Sequence, residues 1–518
     1  MHKTLLFHDM FDFLVGSRPA QLCVRDDRRA LTFAEAALEV NKIANGLVSL
    51  GLQKGDRFGY LSKNCADMWL MYLAASKTGA VPVPLNYRLA PAEWEFILEN
   101  AGAKALFVGA GYTEVVASIK DRLTTIKHFV AFEDELAGAV LYDTWFDNQS
   151  DQLPDINVHS DDIFYQMYTS GTTGLPKGVL VTHENYAANL AQCTNMVTRL
   201  PDAGDTVLVV TPLYHAAAVW IAAFSMGRGM SIIFKTDFDP VDVVNTLDTE
   251  KVAFTFLVPA MIQACLTQVP DIRSRNWDNL KMLMYGASPI AEDVLRRAVN
   301  VFGCDMYQAY GMTETTAILT LLGADEHRRA LDGETHLLLA AGRPLPGCDI
   351  RIVTEEGSVG EIQARGPQIV PGYWNLPDAT ASFLEGGWAH TGDAGIIDDE
   401  GYLYIKDRIK DMVVSGGENI YPREVENALF EHPDIIDAAV IGVPDDKYGE
   451  ALLAIIVTKD GAPLSREDVV AFCRTKLGGY KVPRLVECVS ELPRNASGKV
   501  LKQVLKKPYW EHVSRGVG

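Results

Sequence analysis

The sequence lacks paired cysteines, long apolar runs and an excess of basic charge, and each shortage removes a class of function. Its eight cysteines, at 23, 65, 193, 265, 304, 348, 473 and 488, form no CxxC pair, and at 518 residues the chain is far too long for a disulfide-stapled scaffold. Reduced thiols and a cytoplasmic setting are therefore expected, and no cysteine falls in a motif that would make it catalytic. The 11 histidines show neither HExxH nor HxxEH spacing, so a protein-ligated zinc site is not expected. No segment approaches the ~18–20 uninterrupted apolar residues of a membrane helix. The stretch from Ala216 to Phe224 reads as a buried element instead. Leu5-Leu6-Phe7 is cut short by His8 and Asp9, so no signal peptide is expected, and Arg515-Gly516-Val517-Gly518 is not an SKL address. With 47 basic against 67 acidic residues the formal charge is −20, the wrong sign for a general nucleic-acid binder.

What is present is the alternation of an α/β protein, in a chain too long for one hydrophobic core. Thr32 reads as the N-cap of an amphipathic helix running through Ala44 and Leu47. Ala80-Val81-Pro82-Val83 and Ala105-Leu106-Phe107-Val108 read as strands, the first weakened by a proline that cannot donate to a central ladder. Thr206–Val210, Ser231–Phe234 and Phe254–Val258 continue the pattern, and from about 335 to 406 shorter strands and denser turns suggest a β-rich subdomain. The charged run Lys406-Asp407-Arg408-Ile409-Lys410-Asp411 is the best boundary, followed by a segment sized for a small α+β domain. The expected division is 1–406 for a large N-terminal domain, 407–411 for a hinge and 412–518 for a small C-terminal domain.

The run Tyr168-Thr169-Ser170-Gly171-Thr172-Thr173-Gly174-Leu175-Pro176-Lys177-Gly178 carries the most chemistry. Its glycines let backbone approach a ligand closely, its four hydroxyls and free N–H groups suit phosphate oxygens, and Lys177 adds a compact positive charge. A strand reads on each side, Ile163 to Tyr168 and Val179 to Thr182. A Walker A loop is spaced GxxxxGK[ST] and opens a helix, so this is a phosphate loop of another kind. Farther on, Tyr310-Gly311-Met312-Thr313-Glu314-Thr315 places an aromatic face, a hydroxyl and a carboxylate within five positions. Tyr310 could stack on adenine, Thr313 bond an α-phosphate and Glu314 hold Mg²⁺, which takes carboxylates together with phosphate oxygens.

Together with Tyr285-Gly286-Ala287-Ser288-Pro289, Trp388-Ala389-His390-Thr391-Gly392-Asp393 and Leu492-Pro493-Arg494-Asn495-Ala496-Ser497-Gly498-Lys499, these motifs resemble, in order, the signatures of the adenylate-forming superfamily. The resemblance implies a large domain of layered α/β subdomains with a β-rich subdomain, and a small mobile α+β C-terminal domain. It implies ATP bound through Thr169, Ser170, Gly171, Thr172, Thr173, Gly174 and Lys177, with Gly286, Ala287, Ser288, Tyr310, Gly311 and Thr313 around the adenine and α-phosphate. Asp393 would accept from the ribose hydroxyls and Arg408 would be a second ribose contact. Glu314 and Thr169 would hold Mg²⁺. Lys499 would stabilise charge in the adenylation transition state.

Amino-acid-loading members usually place an Asp at the start of the acid pocket. The corresponding segment here, Thr211-Pro212-Leu213-Tyr214-His215-Ala216-Ala217-Ala218-Val219-Trp220, has none, so an acid with an uncharged aliphatic or aromatic tail is expected. His215, Ala216, Trp220 and Gly311 are the acyl-pocket candidates, and His215 resembles the residue that gates or orients the carboxylate. Trp388 and Ser415-Gly416-Gly417-Glu418 resemble the CoA-ligase branch, with Gly416 and Gly417 along the CoA tunnel and Lys410 as hinge residue. The expectation is an acyl-CoA synthetase that uses ATP, Mg²⁺ and CoA on a medium- to long-chain fatty acid or an aryl acid. It has no nucleic-acid partner, and a homodimer is left open. Loading of a carrier protein is the alternative. A nucleotide-binding module without catalysis is disfavoured by the joint presence of Lys499, Glu314 and Lys177, and a luciferase-like oxygenase would need a special substrate.

Overall fold

The computed structural model describes residues 5–169, 175–288, 290, 292–354, 359–415, 418–445, 447–459, 461–494 and 500–511. They fall into two compact units. The first comprises 1–287, 294–349 and 364–389; the second comprises 288–293, 350–363 and 390–518.

The first unit is built on a nine-stranded sheet ordered Arg343–Pro344, Thr320–Leu322, Asp305–Tyr310, Met282–Gly286, Val252–Leu257, Thr206–Val209, Ser231–Phe234, Leu22–Arg25 and Ala30–Thr32. The run from Asp305–Tyr310 to Leu22–Arg25 is parallel, and antiparallel strands flank it on both edges. Val252–Leu257 is buried at every position, as expected of a parallel strand covered on both faces. A five-stranded parallel sheet, ordered Val81–Pro84, Arg57–Leu61, Ala105–Val108, His128–Ala131 and Val140–Leu141, forms a second layer. Its prolines 82 and 84 sit on the edge strand, where no ladder donor is lost. The helix Phe33–Ser49 starts at a reciprocal cap: Thr32 Oγ1 accepts from Glu35 N–H, and Glu35 Oε2 accepts from Thr32 N–H. The apolar stretch at 216 is the helix Ala216–Gly227, buried along nearly its whole length. Among the described residues no helix is long and apolar enough to cross a membrane.

The second unit holds a four-stranded sheet ordered Asp349–Val353, Gly360–Arg365, Ala389–Ile397 and Leu403–Arg408, which is the β-rich segment expected from the sequence. It also holds a sheet ordered Glu418–Ile420, Val413–Ser415, Gly449–Thr458 and Ile435–Asp445, with Leu485–Cys488 beside Gly449–Thr458. Helices Pro422–Phe430 and Arg466–Arg474 pack Val425, Leu429, Val469 and Cys473 into one apolar cluster with that sheet. In helix Lys502–Trp510, Lys502 places Nζ 2.8 Å from Glu426 Oε1 and 3.9 Å from Asp407 Oδ2. Burial works against its charge, but Glu426 and Asp407 outweigh that and hold its pKa above the ordinary lysine value.

The charged run at 406 is not a linker throughout. The strand Leu403–Arg408 carries its first three residues, with Asp393 opposite Arg408 in register, and only Ile409–Asp411 form a 3₁₀ turn. Both the turn and the β-rich strands 390–408 lie in the second unit, so the boundary drawn at 407–411 falls inside it.

Candidate functional site

The phosphate run connects two antiparallel strands, Ile163–Thr169 and Lys177–Thr182, and Thr169 faces Lys177 across the ladder. The hairpin therefore presents the hydroxyl of Thr169 and the ammonium of Lys177 at the two ends of one loop. Ser170, Gly171, Thr172, Thr173 and Gly174 lie outside the described residues.

Glu314, in the 3₁₀ turn Thr313–Thr315, is 5% exposed. Its Oε1 accepts from Thr169 Oγ1 at 3.3 Å and from the Tyr373 hydroxyl at 3.1 Å. A buried carboxylate beside hydroxyl oxygens is the hard oxygen donor set that Mg²⁺ takes, so these residues fit that ion. The turn is itself fixed by Thr315 Oγ1, which accepts from Met312 N–H, and by Thr316 Oγ1, which donates to the Gln368 carbonyl.

Gly286 and Tyr310 end adjacent parallel strands and lie at the same end of the sheet, since Gly286 pairs with Ala309. A Cβ on Gly286 would run into the Ala309 carbonyl, and one on Gly311 into that of Ala317. His215 follows the carboxyl end of Thr206–Val209 in the same sheet and caps the helix Ala216–Gly227. The carboxyl ends of parallel strands are where open α/β sheets bind ligands. Ala287, Thr316 and Ala317 have positive φ values of 64°, 54° and 88°, although none is glycine. Backbone strain of this kind concentrates at functional sites. Thr313 opens the turn that bears Glu314, and Ser288 continues the strained turn after Ala287. Ala216 and Trp220 are buried, and Trp220 stacks on Phe224 with centroids 5.0 Å apart.

A separate cavity of about 220 Å³ opens among Phe7, Met10, His183, Tyr186, Leu190 and Phe224, and none of the motif residues lines it.

In the second unit, Asp393 and Arg408 are cross-strand partners, with Arg408 Nε 2.9 Å from Asp393 Oδ1. Asp393 is 6% exposed and its N–H donates to Thr391 Oγ1, which in turn donates to the Ile362 carbonyl. Lys410 lies in the turn Ile409–Asp411. Gly416, Gly417 and Lys499 lie outside the described residues.

Sequence reasoning missed Tyr373 and Trp374. Trp374 Nε1 donates to the Asn100 carbonyl, and the Arg57 guanidinium lies over its ring. The only signal was a Gly-Tyr-Trp triplet with no periodicity, with the Tyr373 hydroxyl partner 59 positions away and the Trp374 indole partner 274.

Residues 14–374 match the family model described as AMP-binding enzyme, and residues 424–499 match that of the AMP-binding enzyme C-terminal domain. The chain is 37% identical over 500 residues to a feruloyl-CoA synthase of Amycolatopsis sp, covering 95% of this chain and 96% of that one. It is 34% identical over 524 residues to the fatty acid–[acyl-carrier-protein] ligase ScoC of Streptomyces coeruleorubidus, covering 99% and 97%. Among solved structures it superposes on a Mycobacterium tuberculosis fatty acyl CoA synthetase with TM-score 0.78 and 31% identity, covering 98% of this chain and 99% of that one.

Proposed function

The chain belongs to the AMP-binding enzyme family, and from that footing we propose that the carboxylic acid it activates carries an uncharged, hydrophobic tail, aryl or aliphatic. Its reaction is ATP-dependent acyl-CoA formation, with ATP and CoA as co-substrates. The observation that supports the site assignment is that Gly286 and Tyr310 end, and His215 follows, parallel strands of one sheet at their carboxyl ends. The acid assignment rests on the helix Ala216–Gly227, whose described face offers buried Ala216, Val219 and Trp220 and no charged group.

In this reading Lys177 and the loop hydroxyls hold the phosphates, Tyr310 and Gly286 flank the adenine, and Asp393 and Arg408 serve the ribose hydroxyls. Glu314 and Thr169 would hold Mg²⁺, which neutralises phosphate charge. The substrate carboxylate attacks the α-phosphorus, pyrophosphate leaves, and Lys499 stabilises the developing charge. The CoA thiolate then attacks the acyl carbon and AMP leaves. Lys410 is the hinge that exchanges Lys499 for Gly416 and Gly417 between the two steps. We also place the enzyme in the cytoplasm, where its eight free thiols stay reduced, and leave monomer against homodimer for light scattering to decide.

The test is pyrophosphate exchange over a panel of short, medium and long fatty acids, benzoates, cinnamates and amino acids, followed by thioester detection with CoA. Exchange driven only by amino acids would overturn the acid assignment. The likeness to an acyl-carrier-protein ligase motivates one second reading, transfer to a carrier. A phosphopantetheinyl carrier protein accepting the acyl group in preference to CoA would establish it.

A further inference from the structure

Tyr373 touches both charged arms of the phosphate site. Its hydroxyl donates to Glu314 Oε1 at 3.1 Å, while Lys177 Nζ lies 5.0 Å from the centre of its ring. The two contacts use different parts of one side chain, the polar tip for the carboxylate and the π-face for the ammonium. We propose that Tyr373 is a positioning residue that sets the carboxylate of Glu314 for Mg²⁺ and the ammonium of Lys177 for the ATP phosphates. This rests on the assignment of Glu314 and Lys177 given above.

The backbone around Tyr373 is held as a positioning role requires. Tyr373 forms an antiparallel bridge with Val179, two residues beyond Lys177 on the same strand. Leu180 N–H donates to the Gly372 carbonyl at 3.1 Å, and Trp374 N–H donates to the Gly178 carbonyl at 2.8 Å. Tyr373 N–H donates to Thr380 Oγ1 at 2.9 Å, and its ring packs against Phe383. The main chain of Glu314 is tied to the same segment, its carbonyl accepting from Val370 N–H at 3.1 Å. The ring can therefore move little relative to either partner.

The test separates hydroxyl from ring. Tyr373→Phe keeps the face under Lys177 and the packing on Phe383 but removes the bond to Glu314. Titration of Mn²⁺ into the ATP-bound protein, followed by electron paramagnetic resonance, should show affinity about tenfold weaker, the scale of one hydrogen bond to a charged group. The Mg²⁺ half-saturation of pyrophosphate exchange should rise in parallel, by more than kcat falls. Tyr373→Leu should add a rise in the KM for ATP through loss of the face beneath Lys177. Unchanged Mn²⁺ affinity in Tyr373→Phe, or equal losses in kcat and affinity together with a lowered Tm, would overturn the proposal. Glu314→Gln is the control. If it weakens Mn²⁺ binding and Tyr373→Phe does not, only the role of Tyr373 falls. If Glu314→Gln itself leaves Mn²⁺ binding intact, the assignment of the metal site falls with it.

Discussion

The guanidinium of Arg57 lies 3.4 Å from the centre of the Trp374 ring, which joins the first residue of an inner strand of the five-stranded sheet to the segment beside the hairpin Ile163–Thr169 and Lys177–Thr182. The same side chain donates from Nε to Gln166 Oε1 at 3.2 Å. Gln166 Nε2 donates to the Tyr168 hydroxyl, which donates to Asn100 Oδ1 at 2.6 Å. Tyr168 is the residue before Thr169, where the phosphate loop begins. Arg57 thus anchors the base of the loop from a position more than a hundred residues upstream.

Arg57→Lys should weaken that anchor while keeping the charge. A lysine cannot stack a planar fork on an indole and make a directed bond to Gln166 at once. Cation–π contacts of this kind contribute about 0.5–2 kcal/mol, so the KM for ATP should rise by about two- to thirtyfold, with a smaller change in kcat. Steady-state kinetics with ATP as the varied substrate checks this. A Tm loss with unchanged KM would make the contact purely structural.

Asp393→Asn should strike nucleotide affinity through the ribose. The variant keeps the size of the side chain but loses the anionic partner of Arg408 and turns one of the two acceptor oxygens assigned to the sugar hydroxyls into a donor. Hydrogen bonds to charged groups contribute about 1.5–3 kcal/mol, so ATP should bind roughly ten- to a hundredfold more weakly. Comparing ATP with 2′,3′-dideoxy-ATP isolates the effect. The wild type should lose affinity on removal of the hydroxyls and the variant should lose little more. Equal sensitivity in both would take Asp393 away from the ribose.

The motif segments stood out in the sequence because their biased residue types are packed into a few consecutive positions. Thr169 and Lys177 could be read as the two sides of a hairpin because strand-like runs flank them. Helix Phe33–Ser49 was legible because Thr32 and Glu35 cap it locally. Tyr373, Trp374, Arg57 and Asn100 were not, since each acts through a partner distant in the chain and none stands in a biased run. The strand Leu403–Arg408 reaches three residues into the charged run that the sequence marks as a boundary, and its pairing is invisible there for the same reason. Lys406, Asp407 and Arg408 look like a solvated linker until the pairing of Asp393 with Arg408 supplies the missing ladder.

Acid should loosen the end of strand Met282–Gly286 through His327. Burial pushes its pKa down to about 4, so the ring is neutral at pH 7. Its Nδ1–H donates to the Gly323 carbonyl, which leaves Nε2 to accept from the Tyr285 hydroxyl at 2.9 Å, one residue before Gly286. A histidine depressed in the folded state takes up its proton more readily when unfolded. Its contribution to stability is therefore present above the ordinary value of 6.5 and is lost as pH falls toward about 4. The slope in that window should approach about 1.4 kcal/mol per pH unit. His327→Gln should be less stable than wild type at pH 8, with a deficit that shrinks between pH 6.5 and 4.5 in a series of Tm measurements. A deficit constant across that range would remove His327 from the acid limb.

Two prolines one residue apart should act in opposite directions on the proposed hinge. Arg408 is extended, with φ −81° and ψ 136°, the conformation that a residue before proline prefers, and Ile409 opens the 3₁₀ turn. Ile409→Pro therefore suits the turn as it stands, because a first-turn proline gives up only an N–H that lacks an intrahelical acceptor. It should stabilise this arrangement by about 0.4–1 kcal/mol through the unfolded chain. Lys410→Pro does the reverse, since its ring disfavours the helical conformation that Ile409 adopts in the turn. If Lys410 is the hinge, one variant keeps the arrangement with this turn and the other is driven from it. Acyl-AMP formation, read by pyrophosphate exchange, and thioester formation from supplied acyl-AMP and CoA should then respond oppositely in the two proteins. The same profile in both variants, whether intact or impaired, would move the hinge away from residues 409 and 410.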